Sequence, residues 1–191
     1  MEIDLAGASA ALEGDMNPIA EAALAALLAN GGRIAESAAP DILLISCPLL
    51  PQSADADVRE KLALARKSAA AMAERGKGRI VFLLSAIAGM PMRRHPGFSA
   101  EMAGLVAGMR TLAMEFGPRV LVNAVGFGLV ANGATISGDH AQFSHIPLGR
   151  PGTVAESVAA VLFLCDPLNS YTTGQLLSVD GGWTAGYGRN F

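Results

Sequence analysis

The chain has 191 residues, 51% hydrophobic and 16% charged, with a net charge of −3. That length predicts one domain with a sizeable core, and the absence of a basic stripe excludes a nucleic-acid binder that works through charge. No apolar run reaches membrane-spanning length without Gly, Pro or a charge, and the N-terminus lacks the basic start of a signal peptide. Cys47 and Cys165 sit in apolar segments and read as buried thiols of a cytoplasmic protein.

In chain order, the residues first predict a helix with Asn17 as its cap and Pro18 at its first position. It runs through Ala20, Leu24, Leu27 and Leu28 and stops at Asn30-Gly31-Gly32. Arg33–Glu36 reads as a short strand and Asp41–Ser46 as another. Arg79–Ser85 is a third, and its Ile80–Leu84 run, like Val120–Val125, is rich in branched residues, as strands buried on both faces are. Between these two, a helix opens at Gly97-Phe98-Ser99. Met102, Leu105, Val106, Met109, Leu112, Ala113 and Phe116 line one face of it, and Gly117-Pro118 ends it. An apolar helix, Val154 to Leu164, precedes a last strand within Tyr171–Trp183. Strands alternating with helices predict an α/β fold with a parallel sheet, in a single domain over 1–191. There is no internal repeat, low-complexity linker or metal-ligand spacing.

Three blocks resemble the short-chain dehydrogenase/reductase family: Arg79–Glu115, Arg119–Val125, and Ile146–Thr153 with Tyr171–Trp183. Tyr171-Thr172-Thr173-Gly174-Gln175 through Val179-Asp180-Gly181-Gly182-Trp183 is similar to that family's last strand and terminal loop. The resemblance implies a Rossmann-like, doubly wound parallel sheet, here shortened in its N-terminal half. It also implies a helix carrying Tyr-x-x-x-Lys, in which Tyr is the acid/base for hydride transfer and Lys lowers its pKa. At the matching positions this chain has Phe98 and Met102. Phe has no proton to give and Met no charge, so general acid–base catalysis by that route is impossible. Ser85 lies 13 residues before Phe98, the family's spacing for its catalytic Ser, although aligning on Ile87-Ala88-Gly89 puts Ala86 there. Asp57 falls near the family's helix Asn. Those four degenerate positions leave no catalytic residue on this reading.

The cofactor elements are altered too. The family begins with a strand and a Gly-rich turn whose N–H groups receive a pyrophosphate at a helix N-terminus. Ile3 to Ser9 resembles the start of that turn, but the later glycines do not follow, and Glu13 and Asp15 bring negative charge. A helix–strand–helix stretch that would form the adenosine pocket is absent before Asp41. The strand after it ends in Ser46-Cys47-Pro48-Leu49 where the family has Asn-Asn-Ala-Gly, and Gly126-Phe127-Gly128 replaces a Pro-Gly pair at the nicotinamide. The resemblance therefore implies that this chain binds no cofactor, and the residues offer no metal site.

The expectation is a non-catalytic subunit. A catalytically competent homologue would hold NAD and act on a hydroxyacyl (CoA) type substrate, and this chain would complete a heterotetramer with it. The tail carrying Trp183, Tyr187 and Phe191 would contact the partner's site. The apolar share, with a mean hydropathy of +0.38, fits helix faces buried between subunits. Arg93-Arg94-His95 reads either as a carboxylate or phosphate holder or as a solvated loop. His140 and His145 have no visible ligand partner, and neither Tyr171 nor Tyr187 has a Lys four residues on. Two other classes stay open. One is a stand-alone binding or sensor protein. The other is an enzyme of unconventional mechanism using Ser85, Asp57 or the Arg93-Arg94-His95 loop.

Overall fold

Three apolar runs form the middle of the sheet. They are β3 (Ile42–Ser46), β4 (Gly78–Ser85) and β5 (Val120–Phe127), and nearly every residue in them is buried. Side chains alternate between faces along each strand, so Leu43 and Ile45 enter one core and Ile42 and Leu44 the other. A strand buried on both faces needs no polar face, which is why these segments read as continuous apolar runs. The computed structural model describes residues 1–36, 39–51, 57–131 and 140–186, with the side chains of 140–142 excepted. Tyr187, Phe191 and the His140 side chain lie outside the described residues.

The sheet has six parallel strands in the order β2-β1-β3-β4-β5-β6. Its outer members are β1 (Ser9–Gly14) and β2 (Arg33–Ile34) on one side and β6 (Leu176–Val179) on the other. Helices α1 (Pro18–Ala29) and α4 (Val154–Cys165) cover one face; α2 (Val58–Glu74) and α3 (Pro96–Phe116) cover the other. The expected apolar stripe of α3 is observed: Met102, Leu105, Val106, Met109, Leu112 and Ala113 are all buried. Glycine lets α2 and α3 approach closely, since a Cβ at Gly108 would lie 2.4 Å from the Leu62 side chain.

The N-terminal strand departs from the sequence reading. Ile3 to Ser9 is not the start of a phosphate-type turn after a strand. Ala6 and Gly7 have φ of 47° and 78° and turn the chain into β1, which begins only at Ser9. The turn that leads from strand to helix is Gly14-Asp15-Met16, just ahead of Asn17. The α2 segment, which the periodicity did not single out, fills the gap before β4. β2 has two residues, Arg33 and Ile34, and residues 35–41 connect it to β3.

Candidate functional site

From β1 the chain moves outward to β2 and then returns to β3 on the other side, so the strand order reverses between β1 and β3. Crevices at such a reversal, beyond the carboxyl ends of the strands, are where open α/β sheets bind ligands. In this chain the crevice is filled from within. The Asn17 Oδ1 accepts the N–H groups of Ile19 and Ala20 at 3.1 and 3.0 Å, Pro18 has none, and the Glu21 N–H donates to the Asn17 carbonyl at 3.0 Å. Every N–H of the first turn of α1 is thus used or missing. Beside it, the Lys61 ammonium reaches across from α2. It donates to Asp15 Oδ2 at 3.2 Å and to the Ser46 carbonyl at 3.1 Å. Its side chain is only 13% exposed. Asn17 Nδ2 donates to the buried Ser46 hydroxyl at 3.0 Å. Gly14, at φ 97°, passes so close to the Ser46 carbonyl that a side chain there would collide with it. The N–H donors at the start of α1 and the Lys61 ammonium thus all have partners within the protein.

The positions expected around the family's chemistry have different surroundings. Met102 is fully buried in the core between the sheet and α2–α3, and Phe98 packs partly buried against the same core. Asp57 is the N-cap of α2 at φ 33°, and its carboxylate accepts the Glu60 N–H at 3.0 Å. That bond explains the acid there as a helix cap. Arg93 and Arg94 are exposed and make no hydrogen bond or ion pair with a described residue, the geometry of a solvated loop.

Ser85 and Trp183, by contrast, come together. They line a cavity of about 310 Å³ at the carboxyl ends of β3, β4 and β5, with Leu49, Ile87, Phe127 and Ile146 among its apolar walls and the exposed His145 among its lining residues. Ser85 is 4% exposed, and its hydroxyl makes no hydrogen bond to a described residue. The loop after β6 closes one side. The Asp180 carboxylate accepts the N–H groups of Gly182 and Thr184, both at 2.9 Å, and the Thr184 hydroxyl, which fixes the turn that presents Trp183. Gly128 is required for this closure, because a Cβ there would lie 2.7 Å from the Asp180 backbone.

The cysteines are structural. Burial pushes the thiols of Cys47 and Cys165 up to about 12, so neither is a ready nucleophile. Among the described residues no three His, Cys, Asp or Glu side chains gather at metal-binding distance, and no helix is long and apolar enough to cross a membrane. Sequence reasoning missed Lys61, which stands 46 positions from Asp15, and the apolar lining of the cavity. Asn17 was visible as a cap but not as the group that saturates the crevice.

A parallel sheet sandwiched by helices, with crevices at its carboxyl edge, defines the doubly wound α/β class of dinucleotide-binding folds. A family profile described as Enoyl-(Acyl carrier protein) reductase matches residues 19–184. The chain belongs to the short-chain dehydrogenase/reductase family. It is 40% identical over 110 residues to a 3-oxoacyl-[acyl-carrier-protein] reductase of Aquifex aeolicus, covering 55% of this chain and 44% of that protein. It is 37% identical over 115 residues to a glucose 1-dehydrogenase of Gluconobacter oxydans, covering 56% and 43%. The chain therefore spans less than half the length of these curated relatives. A solved short-chain dehydrogenase/reductase family protein superposes with a TM-score of 0.81 at 24% identity, over 97% of this chain and 100% of that one, which shows the shared fold. An acetoin dehydrogenase from Enterobacter cloacae is 28% identical, with a TM-score of 0.62 over 86% and 69%.

Proposed function

We propose that this chain is a non-catalytic subunit on an oxidoreductase scaffold, assembling with a competent homologue that holds NAD and transfers the hydride. The observation that carries the reading is the self-filled crevice, in which Asn17, Lys61, Asp15 and Ser46 satisfy one another where a pyrophosphate would sit. The chemistry agrees with it: the acid/base positions are Phe98 and Met102, and the second is a core residue. This pattern of losses resembles the short subunit of the two-subunit 2-[hydroxy(phenyl)methyl]succinyl-CoA dehydrogenase of anaerobic toluene degradation, which makes a hydroxyacyl-CoA the substrate class of the partner. The named relatives are reductases and dehydrogenases, and in this reading their activity belongs to the partner subunit.

Exposed apolar groups support assembly. Met114 on α3, Phe163 on α4, and Leu168 and Tyr171 before β6 are 78%, 43%, 90% and 103% exposed. Side chains of this size in water are what a subunit contact removes. The test is the native mass of this chain expressed alone and together with an intact homologue, with NAD binding titrated on both samples. The expected result is a mixed oligomer, a heterotetramer, with about one NAD per intact subunit and none on this chain. A homo-oligomer of this chain that binds NAD by itself would overturn the proposal. A second reading, a stand-alone binder of small molecules, is favoured by the cavity beside Ser85.

A further inference from the structure

A second cavity, of about 430 Å³, lies at the opposite edge of the sheet, where the strands begin. Leu5 and Ala8, from the segment leading into β1, line one side, and Pro167 and Ser170, from the loop after α4, line the other. Ile42 and Leu121 flank Arg79 in the register of β3, β4 and β5, and with the buried Leu5 and Cys165 they supply an apolar floor. The charged lining is three cations and one acid: Lys77, Arg79 and Arg119 against Asp41. The acid is already engaged. Asp41 Oδ2 accepts the Ser9 N–H and hydroxyl, both at 2.9 Å, and Oδ1 lies 4.0 Å from the Arg75 guanidinium. Asp166, beside the cavity, accepts the Leu168 N–H at 2.9 Å.

None of the three cations makes an ion pair with a described residue. Lys77 and Arg119 are exposed, and the Gly78 N–H donates to the Arg119 carbonyl at 3.1 Å, which keeps the starts of β4 and β5 side by side. Arg79 is half-buried. Its guanidinium donates to the carbonyls of Leu164, Asn169 and Pro167 at 3.2, 2.9 and 3.3 Å, leaving N–H groups without a partner. Burial pushes this guanidinium below its ordinary value. A half-buried charge held by carbonyls alone is incompletely compensated.

The geometry points to a phosphate monoester at this amino edge, with its oxygens on Lys77, Arg79 and Arg119 and its apolar body against Leu5, Ile42 and Leu121. A dianion matches three cations less one acid, and an arginine fork matches phosphate oxygens. A cavity of about 150 Å³ holds one benzene, so 430 Å³ has room for a ring and its phosphate. This site is separate from the crevice at the carboxyl edge and does not depend on whether the chain joins a homologue. The same cations also offset helix dipoles: α2 and α4 end at this edge, and their negative ends attract positive charge. Arg79 does so through the Leu164 carbonyl. Were that their whole role, no anion would saturate the cavity.

The experiment titrates the whole isotope-labelled chain with phenyl phosphate, inorganic phosphate, benzoate and phenol at low salt, following backbone amide resonances. The expected result is saturating shifts at Ala6, Gly78 and Arg119 with phenyl phosphate, at a Kd of about 1 mM. Phosphate, which lacks the ring, and benzoate, which carries one charge, should each bind about threefold or more weakly, and phenol should give no saturation. Lys77→Ala and Arg119→Ala should each weaken phenyl phosphate about two- to fivefold, and raising the salt to about 0.5 M should weaken it further. The double variant Lys77→Glu, Arg119→Glu should abolish binding. Arg79 stays in place because its bonds hold the loop after α4. Linear, unsaturable shifts in the wild-type chain overturn the inference, as does undiminished binding by the double variant or benzoate as tight as phenyl phosphate. Saturating shifts at Met16, Asn17 and Ile19 instead would put the anion in the crevice and overturn the self-filled reading as well. A mixed oligomer that binds no phenyl phosphate removes this inference and keeps the subunit proposal, so the two fail separately.

Discussion

Glu156 shows how one residue can be held by several neighbours at an exposed site. The Thr153 side chain caps the Glu156 N–H at 3.1 Å, the Glu156 carboxylate returns the contact to the Thr153 N–H at 2.8 Å, and Arg150 grips both oxygens at 2.6 and 3.1 Å. The hydrogen bonds from Arg150 first, and those from Thr153 second, lower the Glu156 carboxyl from 4.5 to about 2. A carboxylate whose folded pKa is depressed stabilises the fold above its unfolded pKa, and that contribution disappears as pH falls through the folded value. Glu156→Gln should therefore lower the melting temperature at neutral pH, and the gap from wild type should close between about pH 4.5 and 2. Melts across that range check it; a gap that is constant with pH would mean that the charge on Glu156 contributes nothing. Asp57 teaches the opposite lesson at the same scale. Counting along the chain placed it near a functional helix position, but a single carboxylate at a helix start is explained by the one N–H it caps.

The elements were legible wherever their burial imposed a pattern. β3, β4 and β5 are buried on both faces and announced themselves as branched apolar runs, and the stripe of α3 appeared at helical spacing because one face must meet the sheet. β1 gave no such signal. Four of its residues, Ser9, Ala10, Ala11 and Gly14, are small, and its last two are exposed because the strand stands next to the sheet edge. The glycine at 7 then looked like the turn that Gly14 in fact provides. Lys61 was out of reach because its partners lie on other elements, joined only once α2 is packed. This contact makes the α2–β1 junction a stability element. Lys61→Met should cost about 2 kcal/mol in urea unfolding, since the Asp15 carboxylate and the Ser46 carbonyl lose a charged donor. It should not create NAD binding, because Asn17 still occupies the N–H groups of α1. A Lys61→Met chain that binds NAD in calorimetry would show that the ammonium alone closes the crevice.

At the scale of the whole molecule, the question is whether the family's Tyr-x-x-x-Lys chemistry can be introduced by replacing two side chains. The architecture argues against it. Met102 sits at 0% exposure among Ile80, Phe82, Leu105 and other core residues, so a lysine there would enter an apolar core rather than a catalytic cleft. Phe98 belongs to the margin of the same core and is not part of the cavity wall that carries Ser85. The double variant Phe98→Tyr, Met102→Lys should show no NAD-dependent turnover when expressed alone. It should also be several kcal/mol less stable at neutral pH, the cost of placing an amine in that core. The sign of its pH dependence is set by burial. The folded state favours the neutral amine and the unfolded state binds the proton, so stability should rise as pH rises. Urea melts at increasing pH and a spectrophotometric NADH assay test both parts. Turnover from the double variant would mean that positions 98 and 102 reach a working cofactor crevice, and the self-filled junction of Asn17, Lys61 and Asp15 would then have to open in solution.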